Sequence, residues 1–329
     1  MYKEFFNLRR NPFEITPDPS FLFPTKRHNE ALAALYYGVR RHKGFVVMTG
    51  EVGTGKTLLV RCLLELLRRT DVSFAYVFNS KLSPVEFIRY IAGDLGIPVT
   101  GKAKDELLLD LSTYLVQRHR QKLTTLVVVD EAHHLSADVL EEVRLLTNLE
   151  TSQEKLLQIL LVGQPELDQQ LDSSNLRQLK QRVALRCHLE PLIADETREY
   201  VCRRLQVAGA TAPAAAAIFP DATIEQVHRH SRGIPRLINT ICENALINAY
   251  ARQFSRITPE MVDEVAGDLR LGVVSTPVEQ LDRVAGREEL QRAVRTLLDL
   301  HDYLQAARLR EREPFAQAAR SVRDDEPYI

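Results

Sequence analysis

The chain has 329 residues, 45% of them hydrophobic and 26% charged, which is the balance of a globular protein with room for two compact units or one large domain with an appendage. Its formal net charge of −1 excludes a chain-wide basic field for nucleic acid, and short basic runs such as Arg40-Arg41-His42-Lys43, Arg118-His119-Arg120 and His228–Arg232 read as solvated faces. Cys62, Cys187, Cys202 and Cys242 lie far apart without CxxC pairing, which argues against a zinc site or a disulfide framework and for a reducing cytoplasm.

The first residues, "MYKEFFNLRRNPFEITPDP", scatter charges among apolar side chains and contain no secretory h-region. Pro12, Pro17 and Pro19 then predict an extended or turning arm over residues 1–26. "RHNEALAALYYGVRRH" (Arg27–His42) spaces Leu32, Leu35, Tyr36 and Val39 as on one face of a helix. Five short apolar runs follow, "FVVMTG", "FAYVF", "TLVVVD", "QILLVG" and "ALRCHL", most of them separated by helical patterns. Each reads as a strand buried on both faces, so residues 27–192 are expected to form an α/β core, a five-stranded parallel sheet flanked by helices.

Beyond Leu192 the pattern turns wholly helical. "DETREYVCRRLQVAG", "TIEQVHRHS", "IPRLINTICENALINAYAR" and "TPEMVDEVAGDL" predict a small all-helical domain over residues 193–271. A linker is expected over 272–285 and an amphipathic helix over 286–313, where Leu290, Val294, Leu297, His301 and Leu304 form a seam of about two heptads. Such a helix either packs on its own domain or serves docking or oligomerisation. Residues 314–329 read as a disordered tail. No apolar run approaches the ~18–20 residues that span a bilayer, so a cytoplasmic location is expected.

The chemistry starts at "TGEVGTGKTLLV". Gly50, Gly55, Lys56 and Thr57 fit GxxxxGK[ST] between a strand and a helix, the pattern of a phosphate-binding P-loop. Its backbone, Gly50, Glu51, Val52, Gly53, Thr54, Gly55 and on to Leu58, would cradle phosphates at a helix N-terminus. Lys56 would reach the β- and γ-phosphates of ATP, and Thr57 would bind Mg²⁺. Asp130, after "LVVV", is the second expected Mg²⁺ residue, and Glu131 is expected to orient or deprotonate the attacking water. His133 and His134 lack HExxH spacing and, being adjacent, would point to different faces of a helix, so metal ligation is not expected of them. A DEAH helicase would need a second α/β lobe, which the helical remainder does not supply.

Gln164 ends the next strand and is read as a γ-phosphate sensor or water-positioning group, with a plain strand cap as the alternative. Arg177 and Arg182 precede the fifth strand. An arginine there faces away from its own site, and Arg182 is the preferred finger for a neighbouring subunit. Arg236, at a helix start after Gly233 and Pro235, would fold back onto the γ-phosphate or cap its helix.

Taken together, the P-loop, the Asp-Glu strand, the sensor strand, the outward arginine and the helical lid resemble the AAA+ ATPases. The blocks "NPFEITPDPSFLF", "HNEALAALYYGV", "GFVVMTGEVGTGKT", "VVVDEAHHL", "LVGQPEL", "LKQR" and "RGIPRLIN" are similar to those of the ExeA/GspA group of secretion ATPases, over residues 1–270. That resemblance implies ATP bound between core and lid, with Phe13 and its neighbours near the adenine. It also implies Arg236 as the lid's sensor, Arg182 as the finger, and active sites completed between subunits of a ring or filament. A partner in protein or polysaccharide export is implied too, with any tie to the inner membrane made through that partner or the C-terminal helix. The core also resembles the transposition regulators TniB, TnsC and MuB, which makes an ATP-dependent DNA adaptor the competing expectation.

Overall fold

The computed structural model describes residues 2–14, 18–21, 23–78 and 81–271, which fall within one compact unit. The expected linker 272–285, seam helix 286–313 and tail 314–329 lie outside the described residues.

Five parallel strands make the sheet: β1 Phe45–Gly50, β2 Val72–Val77, β3 Thr124–Val129, β4 Gln158–Gly163 and β5 Val183–Leu189, in the order β2-β3-β4-β1-β5. β1, β3 and β4 are buried at every position, because side chains alternate between two covered faces. Val47, Val127 and Ile159 face one apolar layer, whereas Met48, Val128 and Leu160 face the other. The second and fifth runs depart from the expectation of burial on both faces. β2 and β5 are edge strands, and much of their surface is part-exposed or exposed.

Helices cover both faces. In chain order the first eight are α1 Tyr2–Phe5, α2 Lys26–Arg40, α3 Lys56–Arg68, α4 Pro84–Asp94, α5 Lys104–Arg120, α6 Ala137–Leu146, α7 Glu166–Leu171 and α8 Arg177–Lys180. α2 and α3 pack on one face through Leu35, Val39, Leu59 and Leu63. α4 to α8 pack on the other through residues such as Phe87, Ile91, Leu111, Val139 and Leu167. Local signals set their starts: Thr25 accepts the His28 N–H before α2, and Ser83 with Glu86 forms a capping box before α4. Since all strands run the same way and Gly50 pairs with Leu189, the ends of β1, β3 and β4 meet at one rim. Gln164, just past β4, therefore lies between the strands carrying the P-loop and Asp130.

The helical region comprises α9 Ala194–Val207, α10 Ala212–Ile218, α11 Asp221–Ser231, α12 Pro235–Ala251 and α13 Pro259–Asp268. Its apolar cluster includes Val201, Leu205, Ile238 and Val262. α10 was not anticipated, because its "APAAAAI" lacks a polar face from which to read a period. The N-terminal segment also departs from the expected arm. It opens with the one-turn helix α1, and Phe6, Leu8 and Phe13 are buried in the helical cluster. Phe13 is fully buried, edge-on to Phe219 at 5.8 Å.

Phe13→Ala is therefore expected to behave as a core truncation, lowering unfolding free energy by roughly 3–5 kcal/mol in a denaturant titration.

Candidate functional site

At the rim, β1 runs into a tight loop that ends on α3. Gly53 and Gly55 adopt φ of +83° and +97°, a region closed to most side chains. A Cβ on Gly53 would stand 2.6 Å from Arg236 Cβ, and one on Gly50 would stand 2.6 Å from the Leu189 carbonyl. Thr54 ties the loop by donating its hydroxyl to the Glu51 carbonyl at 2.8 Å. Lys56 donates to the carbonyls of Gly50 (2.8 Å) and Glu51 (2.9 Å), which holds the ammonium under the loop. Burial pushes its pKa down, opposed by the carboxylates of Glu131 and Asp130.

Asp130 follows β3 and is buried. Its Oδ2 accepts from the Thr57 hydroxyl (3.1 Å) and the Tyr76 hydroxyl (2.7 Å), and Oδ1 accepts the Glu131 backbone N–H (2.9 Å). Tyr76 lies on β2, and its pKa is raised by burial and then by the Asp130 charge, so it stays a donor. Glu131 differs sharply from its neighbour. Its backbone is left-handed at φ +51°, and its Oε2 is buried without a hydrogen-bond partner. Adjacent carboxylates thus have divergent settings, one triply satisfied and one poised.

These groups border a cavity of about 460 Å³. Val52, Gly53, Gly55, Lys56, Thr57, Leu58, Glu131 and Gln164 line one side, and Tyr200, Arg204, Pro235, Arg236 and Asn239 the other. Gly50, Glu51 and Thr54 shape the loop without lining the cavity. Arg236 is exposed, and its backbone N–H donates to the Gly53 carbonyl at 3.2 Å. A smaller recess of about 40 Å³ adjoins, bordered by Phe21, Phe23, His28, Leu192, Tyr200 and Pro235 and sharing Gly55 and Leu58.

Two expected residues lie elsewhere. Phe13 is absent from both linings because it anchors the helical core; its neighbours Glu14 and Asp18 line the large cavity instead. Arg182 sits before the start of β5, at the far end of the strands from the cavity. Its guanidinium donates to the Thr147 hydroxyl at 2.7 Å, while Arg177 is exposed at the start of α8.

Other contributors escaped the sequence reading. Tyr76 carried no local signal; its role shows once its strand is paired with β3, where it stands opposite Val128, which lies two residues before Asp130. Arg204 is buried, with its guanidinium 4.4 Å from the Phe21 ring, and it donates to the carbonyls of Pro12 and Glu14 and to the Tyr200 hydroxyl. Tyr200 in turn donates to Asn239 at 2.9 Å. Nothing local marks this chain beyond the i, i+4 spacing of Tyr200 and Arg204. His133, expected from the sequence not to ligate a metal, accepts the Gln164 backbone N–H on Nδ1 at 3.4 Å.

Comparison with known proteins agrees with this geometry. A family model described as "AAA domain" matches residues 39–171. General secretion pathway protein A of Aeromonas hydrophila is 46% identical over 272 residues, which cover 82% of this chain and 48% of the relative. The chain thus spans about half the length of that relative. Among solved structures, the ORC2 protein of Aeropyrum pernix superposes with a TM-score of 0.59 at 18% identity, covering 79% of this chain and 71% of that one. The Cdc6 protein of Pyrobaculum aerophilum gives 0.57 at 21% identity, with coverages of 76% and 70%. These structural likenesses establish the fold.

Tyr76→Phe removes a hydrogen bond to a buried carboxylate and is expected to cost about 1.5–3 kcal/mol of stability by denaturant unfolding. Combined with Asp130→Asn, the loss should fall clearly short of the sum of the single losses.

Proposed function

We propose that this chain, which belongs to the general secretion pathway protein A family of AAA ATPases, hydrolyses Mg-ATP in an oligomer and uses the cycle to remodel or assemble a partner in an export system. The observation that carries the hydrolytic reading is the pairing at one cavity wall of a satisfied Asp130 with a Glu131 whose Oε2 has no partner. Thr57 and Asp130 present hard oxygen donors 3.1 Å apart, a set that fits Mg²⁺. They would hold the ion, which when bound neutralises charge on the phosphate oxygens.

The remaining roles follow from position. The P-loop N–H groups and Lys56 would bind the phosphates, with Lys56 exchanging its two carbonyl partners for phosphate oxygens. Glu131 would take the proton of the attacking water, and Gln164, between the two acidic and phosphate-binding strands, would position that water. Arg236 would meet the γ-phosphate from the helical side. The aromatic recess beside Gly55 has the composition to take the base, in place of the Phe13 contact expected from the sequence.

Arg182 remains the proposed finger for a neighbouring subunit, since it lies far from its own cavity, with Arg177 as the competing residue. Among the described residues no helix is long and apolar enough to cross a membrane. A cytoplasmic ATPase joined to the inner membrane through an export partner is the matching placement.

A second reading, an ATP-dependent DNA adaptor, has one observation in its favour. The basic runs at 40–43 and 118–120 meet at the rim opposite the cavity, where His42 and His119 both approach Glu154, at 3.0 and 3.9 Å. Exposed Arg40, Arg41, Lys43, Arg120 and Lys122 surround that contact or flank its helices. Duplex binding that requires ATP and weakens steeply with salt would favour it; no binding at low salt removes it.

Lys56→Ala is expected to abolish ATP binding by equilibrium titration, whereas Glu131→Gln should bind ATP, lose turnover by at least about a hundredfold and accumulate as the oligomer. Normal turnover in Glu131→Gln would overturn the assignment. Arg182→Ala subunits should be inactive alone and regain activity when mixed with Glu131→Gln subunits. Rescue seen with Arg177→Ala instead would move the finger to Arg177.

A further inference from the structure

Glu131 is followed by a single 3-10 turn, Ala132–His134, that folds back beneath the end of β4. The close approach depends on Gly163, where an added Cβ would stand 2.9 Å from Leu167 Cδ2 and 3.2 Å from the His133 nitrogen. His133 is consequently turned inward, its side chain 6% exposed, with its ring centroid 3.9 Å from that of His134. One nitrogen of this ring faces two functional groups. Nδ1 accepts the Gln164 backbone N–H at 3.4 Å and lies 3.4 Å from Glu131 Oε2, the buried oxygen without a partner.

We infer that His133 is a positioning residue whose Nδ1 makes one of two mutually exclusive contacts, accepting from the Gln164 N–H or donating to the Glu131 carboxylate. This rests on the ATPase reading above.

The exclusivity is elementary. A nitrogen that offers its lone pair to Gln164 carries no proton, so it cannot also donate to Glu131. In the observed arrangement the proton must sit on Nε2. Two acceptors then face each other across 3.4 Å, and the Glu131 carboxylate is left free to turn toward water in the cavity. If the end of β4 shifts and the Gln164 N–H withdraws, Nδ1 can take a proton from solvent, with or without release of the Nε2 proton, and clasp Oε2. Glu131 is then withdrawn from water. Gln164 lines the cavity, so a nucleotide that moves this residue reaches His133 through its backbone N–H.

The charges around the ring favour the first state at neutral pH. Burial, then His134 on the same turn, hold the His133 pKa below its usual value, and Lys56 on α3 acts the same way. Glu131 on the turn and Glu166 on α7 oppose them without reversing the direction. Because the folded pKa is depressed, acidification first charges His133 only below the ordinary histidine range. The ring then donates to Glu131 and loses Gln164.

The test combines spectroscopy with kinetics. Ring-nitrogen NMR of ¹⁵N-histidine-labelled protein, with the His133 signals assigned by their loss in His133→Asn, should show a neutral ring protonated on Nε2 at neutral pH. A charged ring or a proton on Nδ1 would overturn the inference. In turnover, His133→Ala should lower kcat at least about tenfold while ATP affinity stays within about twofold. His133→Asn places an acceptor near the Nδ1 position and should recover most of kcat, without the acid-side loss of rate that the histidine confers. Equal loss of affinity and kcat, or an asparagine as poor as alanine, would reduce His133 to a packing role. A wild-type protein without ATP turnover would sink the ATPase reading, and the nitrogen spectrum would still decide the state of Nδ1.

Discussion

One backbone hydrogen bond joins the two parts of the cavity: the Arg236 N–H of α12 donates to the Gly53 carbonyl of the P-loop. It is possible only because Gly53 has no side chain, since a Cβ there would collide with Arg236 Cβ. The same closeness recurs at the hinge, where the Leu192 N–H donates to the Gly233 carbonyl at 2.8 Å and a Cβ on Gly233 would stand 1.9 Å from the Leu192 carbonyl oxygen. Two glycines with positive φ, one in the loop and one before α12, therefore set how closely the helical wall approaches the loop. Without them Lys56 and Glu131 would border an open edge, where water would screen their charges.

On the sheet side, the division of labour between Asp130 and Glu131 follows from backbone geometry. Asp130 continues the line of β3 and meets Thr57 from α3 and Tyr76 from β2, so its charge is held by three donors. Glu131 leaves that line with a left-handed backbone, and its Oε2 has no hydrogen-bond partner. Adjacent acids of the same charge thus acquire separate roles from their immediate partners.

The sequence carried most of this rim and little of its opposite wall. β1, β3 and β4 were legible because strands covered on both faces must be continuously apolar, and GxxxxGKT and Asp-Glu stand at their ends. Tyr76 was not read because a tyrosine in an apolar strand has no local mark; its role appears only once β2 is placed beside β3. Phe13 was assigned to the nucleotide by family likeness, yet its burial against Phe219 is decided by packing between segments about 200 residues apart. The surroundings of the two histidines were out of reach for a related reason. Helical geometry would splay His133 and His134 apart, but the left-handed Glu131 replaces a helix with a 3-10 turn that brings the His133 ring under β4.

Arg204 shows how the N-terminal segment becomes part of the site. A buried guanidinium needs its N–H groups satisfied, and here carbonyls of Pro12 and Glu14 together with the Tyr200 hydroxyl do so, with the Phe21 ring against its face. Detaching residues 12–21 would strand that charge among Phe13, Tyr200 and the helical core. Pro12, Glu14 and Phe21 are thereby tied to the helical region, and Glu14 and Asp18 stand on the cavity lining. Their carboxylates share the lining with Lys56 on the loop side and with Arg236 on the helical side. A ligand bearing phosphates would be drawn by its anionic end to Lys56 and the P-loop N–H groups, leaving its neutral end for the aromatic recess beside Tyr200.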